Sequence, residues 1–335
     1  MAVYIINMIR LLKIHYFKNF RWGKGIWLLL LLRGILVPFE PCLWAESQNL
    51  QGHLTVAGAW AIYPTVVAWA EAFQKIHPNV KIDVSAGGAG KGVADVIAGL
   101  ADIGMVSREP DPAELQKDIR AVYILKDAVF PIVSENNPAI LDLLKIGLKR
   151  SVLKEIYVTG TMTRWNQAIT PGAQKPIHIY TRSDASGAAA SWANYLGAKQ
   201  EDLRGIGVYG DPGLLEATRR DPLAIGYTNF SFVFIRQGTV VPGIRLLSID
   251  ANENGLADPK EVYENRQQTL AAIEAGHYPL ARKDYLFIKK TTTSLVKEFI
   301  RFALSQEGTE IVGEVGASLP LTQKEREKVV ESVLP

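Results

Sequence analysis

Of the 335 residues only one is a cysteine, Cys42. A single thiol forms no internal disulfide, and Cys42 lies in a leader-like N-terminal segment whose removal would leave no thiol for catalysis either. Five histidines are present (His15, His53, His77, His178, His277), no two at metal-ligand spacing, so no zinc site is indicated. Excess charge is also missing. Residues 1–45 hold six bases against one acid, net +5, which leaves −2 on the remainder of a chain whose total is +3. A mildly acidic body gives no electrostatic case for nucleic-acid binding. Repeats and low-complexity tracts are absent too. The apolar run Ile26–Leu32 is cut by Arg33 before Gly34–Val37, so it is too short to span a bilayer comfortably.

What the N-terminus does have is the order of an export signal: a long basic stretch, then the short apolar run, then Ala45 as a cleavage point. This predicts a signal peptide over residues 1–45 and a periplasmic or secreted protein. Two alternatives stay open, an uncleaved N-terminal anchor and a translation start at Met8. Phe39-Glu40-Pro41 is a poor lipobox, which argues against lipidation of Cys42.

Beyond Ala45, short apolar runs alternate with helical periodicity. Strands are predicted at His53–Ala57, Val80–Val84 and Ile103–Val106, with helices at Pro64–Ile76 and Gly92–Leu100 between them. This βαβαβ order predicts an α/β fold with a mostly parallel sheet. An extended apolar stretch, 121–133, carries the chain toward a second lobe. There helices are predicted at Ala139–Leu148, Leu153–Val158 and Ser186–Leu196, and strands at Pro176–Thr181 and Ala224–Tyr227. At Tyr278-Pro279-Leu280 the chain returns, with a strand at Tyr285–Lys289 and helices at Ser294–Leu304 and Gly308–Val315. The expected division is lobe 1 from 50–128 plus 279–335 and lobe 2 from 129–278, joined by a two-strand hinge.

Three small-residue turns precede three of these helices. They are Gly58-Ala59-Trp60-Ala61, Gly87–Gly92, and Ser183–Ala188 with Arg182 beside it. The first N–H groups of a helix lack partners and carry partial positive charge, and small residues let a ligand approach them. Three such starts converging on one point would hold an oxyanion.

These segments carry a resemblance. Gly58–Pro64, Gly88–Gly92, Ala101–Arg108, Gly160, Trp165-Asn166, Arg182–Ala188, Ala224–Tyr227, Tyr278–Leu280 and Gly316–Leu321 together resemble the phosphate-binding periplasmic proteins of ABC transporters. The resemblance covers nearly all of 50–325. It implies a two-lobe type II periplasmic binding protein fold, with phosphate or another small anion in the cleft, permease and ATPase subunits as partners, and a monomeric, non-enzymatic binding protein that needs no cofactor. It places Arg182 on the anion oxygens, Asp184 as the group that orients Arg182, Ser186, Gly187 and Ala188 as second-lobe contacts, and Ser107 in a first-lobe contact loop. Trp60, Ala61, Ala89 and Gly90 complete the expected site. Arg108 is either a further anion contact or a surface residue. The chain departs from the family by carrying Ala59, Ala61, Ala89 and Ala188 where hydroxyl residues are usual. That leaves two ligands open: phosphate, or a larger organic phosphate or carboxylate whose apolar part meets the alanines, sensed without transport.

Other motifs carry less. Gly87–Gly92 lacks the spacing of a nucleotide-binding loop, with Ser85 and Gly92 where glycine and a hydroxyl residue are needed. Ser186 has neither a nucleophile elbow nor a paired histidine, which argues against a hydrolase. Asp250, Asn252, Asn254, Gly255 and Glu261 fit the fixed positions of a calcium loop. The reading stays divided between a structural calcium site and a turn that binds nothing.

Overall fold

The structure is a computed structural model that describes residues 50–169 and 173–333. The expected signal peptide and Cys42 lie outside the described residues. Three strands open the fold: β1 (Gly52–Gly58), β2 (Val80–Ala86) and β3 (Ile103–Val106), with β2 and β3 both parallel to β1. Between them run α1 (Tyr63–Ile76) and α2 (Ala89–Ala98), so the βαβαβ reading holds. Val66, Trp69, Ala70 and Phe73 recur at helical spacing on α1 and are buried.

The next strand, β4 (Ile119–Ser134), serves both halves of the molecule. Later come β5 (His178–Arg182), β6 (Ile206–Val208), β7 (Ala224–Asn229) and β8 (Ala281–Lys289). The strand order is β2-β1-β3-β8-β4-β7-β5-β6. The first part of β4, 119–128, pairs antiparallel with β8, and its second part, 129–133, pairs antiparallel with β7. Two hydrophobic cores result. One gathers residues from 54–125 and 285–321, the other from 128–280 together with Leu319. This is the two-lobe α/β fold that the sequence led us to expect, with β4 and the 278–281 segment making the two crossings.

The remaining labelled helices are α3 (Gly187–Tyr195), α4 (Gly210–Arg220), α5 (Ser294–Ala303) and α6 (Gln306–Val315). The last two close lobe 1: the Phe73 ring meets Phe299 edge-on at 5.5 Å, and Trp69 Nε1 donates to Gly308 O at 2.9 Å. Two local expectations change. The segment expected to be helical at Leu153–Val158 is a short α-helix, Arg150–Lys154, that widens into a π-turn over Glu155–Thr159 and ends at Gly160 with φ 69°. The helix α4 was not expected, because it starts Gly-Asp-Pro-Gly, which reads as a turn. Proline in a first turn costs no helical hydrogen bond, so the same residues begin a helix once the chain packs on β7.

At the crossing, Tyr278 Oη donates to Val129 O at 2.7 Å and its ring stacks on Phe130 with centroids 4.5 Å apart. A Tyr278→Phe variant keeps the stacking and leaves a buried carbonyl short of a donor. Urea denaturation is expected to show a loss of about 1–3 kcal/mol at an unchanged slope.

Candidate functional site

The three small-residue turns meet. Ala59, Trp60 and Ala61 before α1, Gly88 and Ala89 at the start of α2, and Ser186, Gly187 and Ala188 at the start of α3 all line one tight cavity with no room for a water-sized sphere. Ser107, Arg182, Asp211 and Asn229 complete its wall. Both lobes contribute, and each turn follows the carboxyl end of a strand, β1, β2 or β5.

Each wall residue has a local reason for its place. The start of α1 has no side-chain cap, and no acceptor within the described protein takes the amides of Trp60 and Ala61. The start of α2 is likewise uncapped, with Gly88 at φ 92°. Ser186 caps α3, its Oγ accepting from Ala188 N at 3.1 Å and Ala189 N at 3.3 Å. Gln200 braces that turn, accepting from Ser186 N at 3.0 Å and donating to Asp184 O at 2.6 Å. A Cβ on Gly187 would stand 2.5 Å from Ser107 O, so only glycine lets α3 reach the first lobe here.

Arg182 ends β5, and Tyr227 holds that end by accepting from Arg182 N at 3.2 Å. The guanidinium is buried between two carboxylates. Its Nε donates to Asp184 Oδ1 at 2.8 Å, Nη2 to Asp184 Oδ2 at 2.5 Å, and Nη1 to Asp211 Oδ2. Burial opposes the charge, but Asp211 and Asp184 outweigh it and hold the arginine above its ordinary pKa. Of five N–H groups, three meet carboxylates, which leaves one on each terminal nitrogen for a ligand. Asp211 in turn accepts from Thr228 Oγ1 and Asn229 N, both at 3.3 Å. Asn229 Oδ1 accepts from Arg282, which also donates to Asp127 Oδ2 at 2.7 Å. One polar chain thus runs from the cavity to the β4–β8 hinge. Two lining residues carry buried polar atoms with no partner among the described residues, Trp60 Nε1 and Ser107 Oγ. Such atoms are costly unless a ligand takes them.

Asp184 orients Arg182, as the resemblance implied, without itself lining the cavity. Other expected site residues sit elsewhere. Gly90 lies outside the cavity, because its N–H donates across the cleft to Ala185 O at 3.0 Å. Arg108 does not line the cavity: its guanidinium is paired with Glu114, Nη1 to Oε2 at 3.0 Å and Nη2 to Oε1 at 2.5 Å. The Ala188 amide is shared with the Ser186 cap. Trp60 stays at the cavity and its ring packs across the cleft, edge-on to Tyr209 at 6.1 Å. Asp211, Asn229 and the Asp127–Arg282 pair were not singled out in the sequence. The turn-like run Tyr209–Asp211 was the available sign for the first.

The calcium reading finds no cage. Asp250 accepts from Asn254 N and Gly255 N, and Glu261 from Ala251 N and Asp258 N. Asn252 and Asn254 oxygens accept from Asn254 N and Leu256 N, and their amide groups donate to Asp258 Oδ2. The oxygens face the loop's own backbone. Among the described residues no group of three or more His, Cys, Asp or Glu is placed to hold a metal ion.

A family model described as the PBP superfamily domain matches residues 45–307. The chain belongs to the PBP superfamily. Among its relatives in that superfamily, it is 28% identical over 261 residues to the phosphate-binding protein PstS of Bacillus subtilis, covering 78% of each chain. It is 25% identical to PstS of Methanocaldococcus jannaschii, covering 71% of this chain and 75% of that one. A candidate phosphate ABC transporter substrate-binding protein from Clostridium perfringens, solved with bound phosphate, superposes with a TM-score of 0.67. It is 26% identical, over 81% of this chain and all of that one. An ABC-type phosphate transport receptor from Vibrio cholerae shares the fold, with a TM-score of 0.60 at 20% identity over 80% of this chain and all of that one.

Arg182→Ala would leave two buried carboxylates facing each other. The expected cost at neutral pH is about 3–5 kcal/mol of unfolding free energy. Urea denaturation of the two proteins side by side reads the difference directly.

Proposed function

We propose that this chain is the extracytoplasmic solute-binding component of an ABC transporter and captures inorganic phosphate between its lobes. One observation carries the reading. Three helix starts and a forked guanidinium face one small cavity, with unpartnered donors from both lobes: the Trp60 and Ala61 amides, Trp60 Nε1, the Ser107 hydroxyl and two N–H groups of Arg182. Donors without acceptors suit an oxyanion, whose charged oxygens accept hydrogen bonds. The PstS relatives and the phosphate-bound structure support phosphate as that guest.

Tightness favours a small anion over an organic phosphate. The cavity has no room for a water-sized sphere, so a guest enters only as the lobes part, and a small one parts them least. The four alanines belong to the cavity wall and are themselves core residues. Ala59, Ala61 and Ala89 are buried in the lobe 1 core and Ala188 in the lobe 2 core.

The same features support binding without turnover. Ser186 Oγ is occupied by two amides as a helix cap, and Arg182 is tied to carboxylates, so neither is poised as a nucleophile or proton shuttle. The leader-like N-terminus supports export to the periplasm or medium, with the permease and ATPase as partners. Among the described residues no helix is long and apolar enough to cross a membrane.

Calorimetric titration with phosphate tests the proposal. The protein is expected to bind one phosphate, and Arg182→Lys, which keeps the charge and loses the fork, to bind at least about tenfold more weakly. Equal affinity in the variant would remove Arg182 from the site. Native mass spectrometry of the purified protein gives an independent reading of the carried anion.

A further inference from the structure

Asp284, on β8, is fully buried, and neither of its carboxyl oxygens has a hydrogen-bond partner among the described residues. The β8–β3 ladder pairs Tyr285 with Val106, which sets Asp284 opposite Ser107, whose buried hydroxyl has no partner among the described residues and which lines the cavity. The charged and titratable groups around Asp284 are few. From β4 come Asp127 and Tyr123, from its own strand Arg282 and Tyr285, and from the loop after β3 Glu109, which accepts from Tyr285 Oη at 2.7 Å. The Arg282 guanidinium is engaged with Asp127, Asn229 and Ser191 rather than with Asp284. Around the cavity and hinge, four buried aspartates (Asp127, Asp184, Asp211, Asp284) therefore stand against two arginines. Ionising all four would leave surplus negative charge before any anion arrives. The carboxyl without a counter-ion is the one that loses least by staying neutral.

We propose that Asp284 stands behind Ser107 as a neutral carboxylic acid and, through the Ser107 hydroxyl, directs a hydrogen at the bound anion, so that anion capture requires Asp284 to keep its proton. This rests on the anion-binding reading above. The acid O–H donates to Ser107 Oγ, which turns the serine O–H toward an anion oxygen. An ionised Asp284 would draw that O–H to itself, turn the serine lone pairs toward the anion and add a buried negative charge. Burial pushes Asp284 well above the usual carboxylate range, and Asp127 pushes it further, against Arg282 and Ser107. For an acid raised in this way the proton is held below its pKa. Affinity is therefore full at low pH and falls as the pH rises through that value.

Calorimetry with inorganic phosphate, from mildly acidic to mildly alkaline pH, separates the possibilities for the unmutated protein, Asp284→Asn and Ser107→Ala. Asparagine keeps a donor for Ser107 and cannot ionise, and phosphate's own ionisation cancels in the ratio of affinities. The affinity of Asp284→Asn relative to the unmutated protein is expected to climb with pH, and Ser107→Ala to bind at least about tenfold more weakly throughout. A ratio that is constant with pH overturns the inference while leaving phosphate binding intact. An unmutated protein that takes up no phosphate at any pH overturns the phosphate reading, and the inference with it. Should Asp284→Asn not fold, infrared spectroscopy of the unmutated protein at neutral pH is expected to show a carboxylic-acid C=O band that moves in Ser107→Ala and on adding phosphate. No such band overturns the inference.

Discussion

The clamp of Asp184 and Asp211 on Arg182 sets what the cavity can be. A guanidinium alone in the interior would attract an anion by charge, and would cost far more to bury than any fold of this size could tolerate. Held between two carboxylates, it is a rigid pair of directed N–H groups with no net positive charge to offer. Attraction then falls to the oriented backbone of three helix starts, each worth about half an elementary charge at its end. Such a site discriminates by hydrogen-bond geometry rather than by charge. This also explains why the body of the chain carries no excess of bases despite a site for an anion. A buried ion pair is weak evidence of stability; here its consequence is position.

Position then propagates. Asp211 is shared with Asn229, Asn229 with Arg282, and Arg282 with Asp127, where β4 meets β8. A guest that tightens Arg182 pulls on a chain of hydrogen bonds ending at the crossing between lobes. The hinge and the cavity are therefore mechanically joined by polar contacts, in a region where the hydrophobic cores of the two lobes are separate.

Local signals explain what could be read in advance. Periodicity marked β1, α1, β2 and β3 to within a few residues, because each buries one face against neighbours close in sequence. The small-residue turns marked the three helix starts for the same reason. Asp211, Asn229 and Asp284 were invisible, since their meaning comes from partners far away: Asp211 from Arg182, 29 positions earlier, and Asp284 from a serine on the neighbouring strand's loop. Arg108 shows the converse. Its place after a strand end suggested an anion contact, and Glu114, six residues on, claimed it within the loop. The calcium pattern keeps two readings for a similar reason, because Asp and Asn oxygens at that spacing satisfy a tight turn as readily as a cation.

The small residues deserve a second physical reading. They were read first as openings for a ligand, and the structure gives them a further task. Gly90 N donates to Ala185 O across the cleft, a Cβ on Gly90 would stand 2.5 Å from that of Ala185, and α3 meets the Ser107 carbonyl at Gly187. The lobes therefore touch backbone to backbone around the cavity. Larger side chains at these places would hold them apart by more than a hydrogen bond's reach. Closure at Gly90 and Gly187 brings the backbone of both lobes to the cavity, where alanine at 89 and 188 offers no side-chain donor and the amides and Arg182 do. Dehydration then strengthens each remaining hydrogen bond, since the same dipole acts more strongly where water is excluded. Loss of donors and gain of closure oppose each other, so the alanines alone do not argue against a small oxyanion.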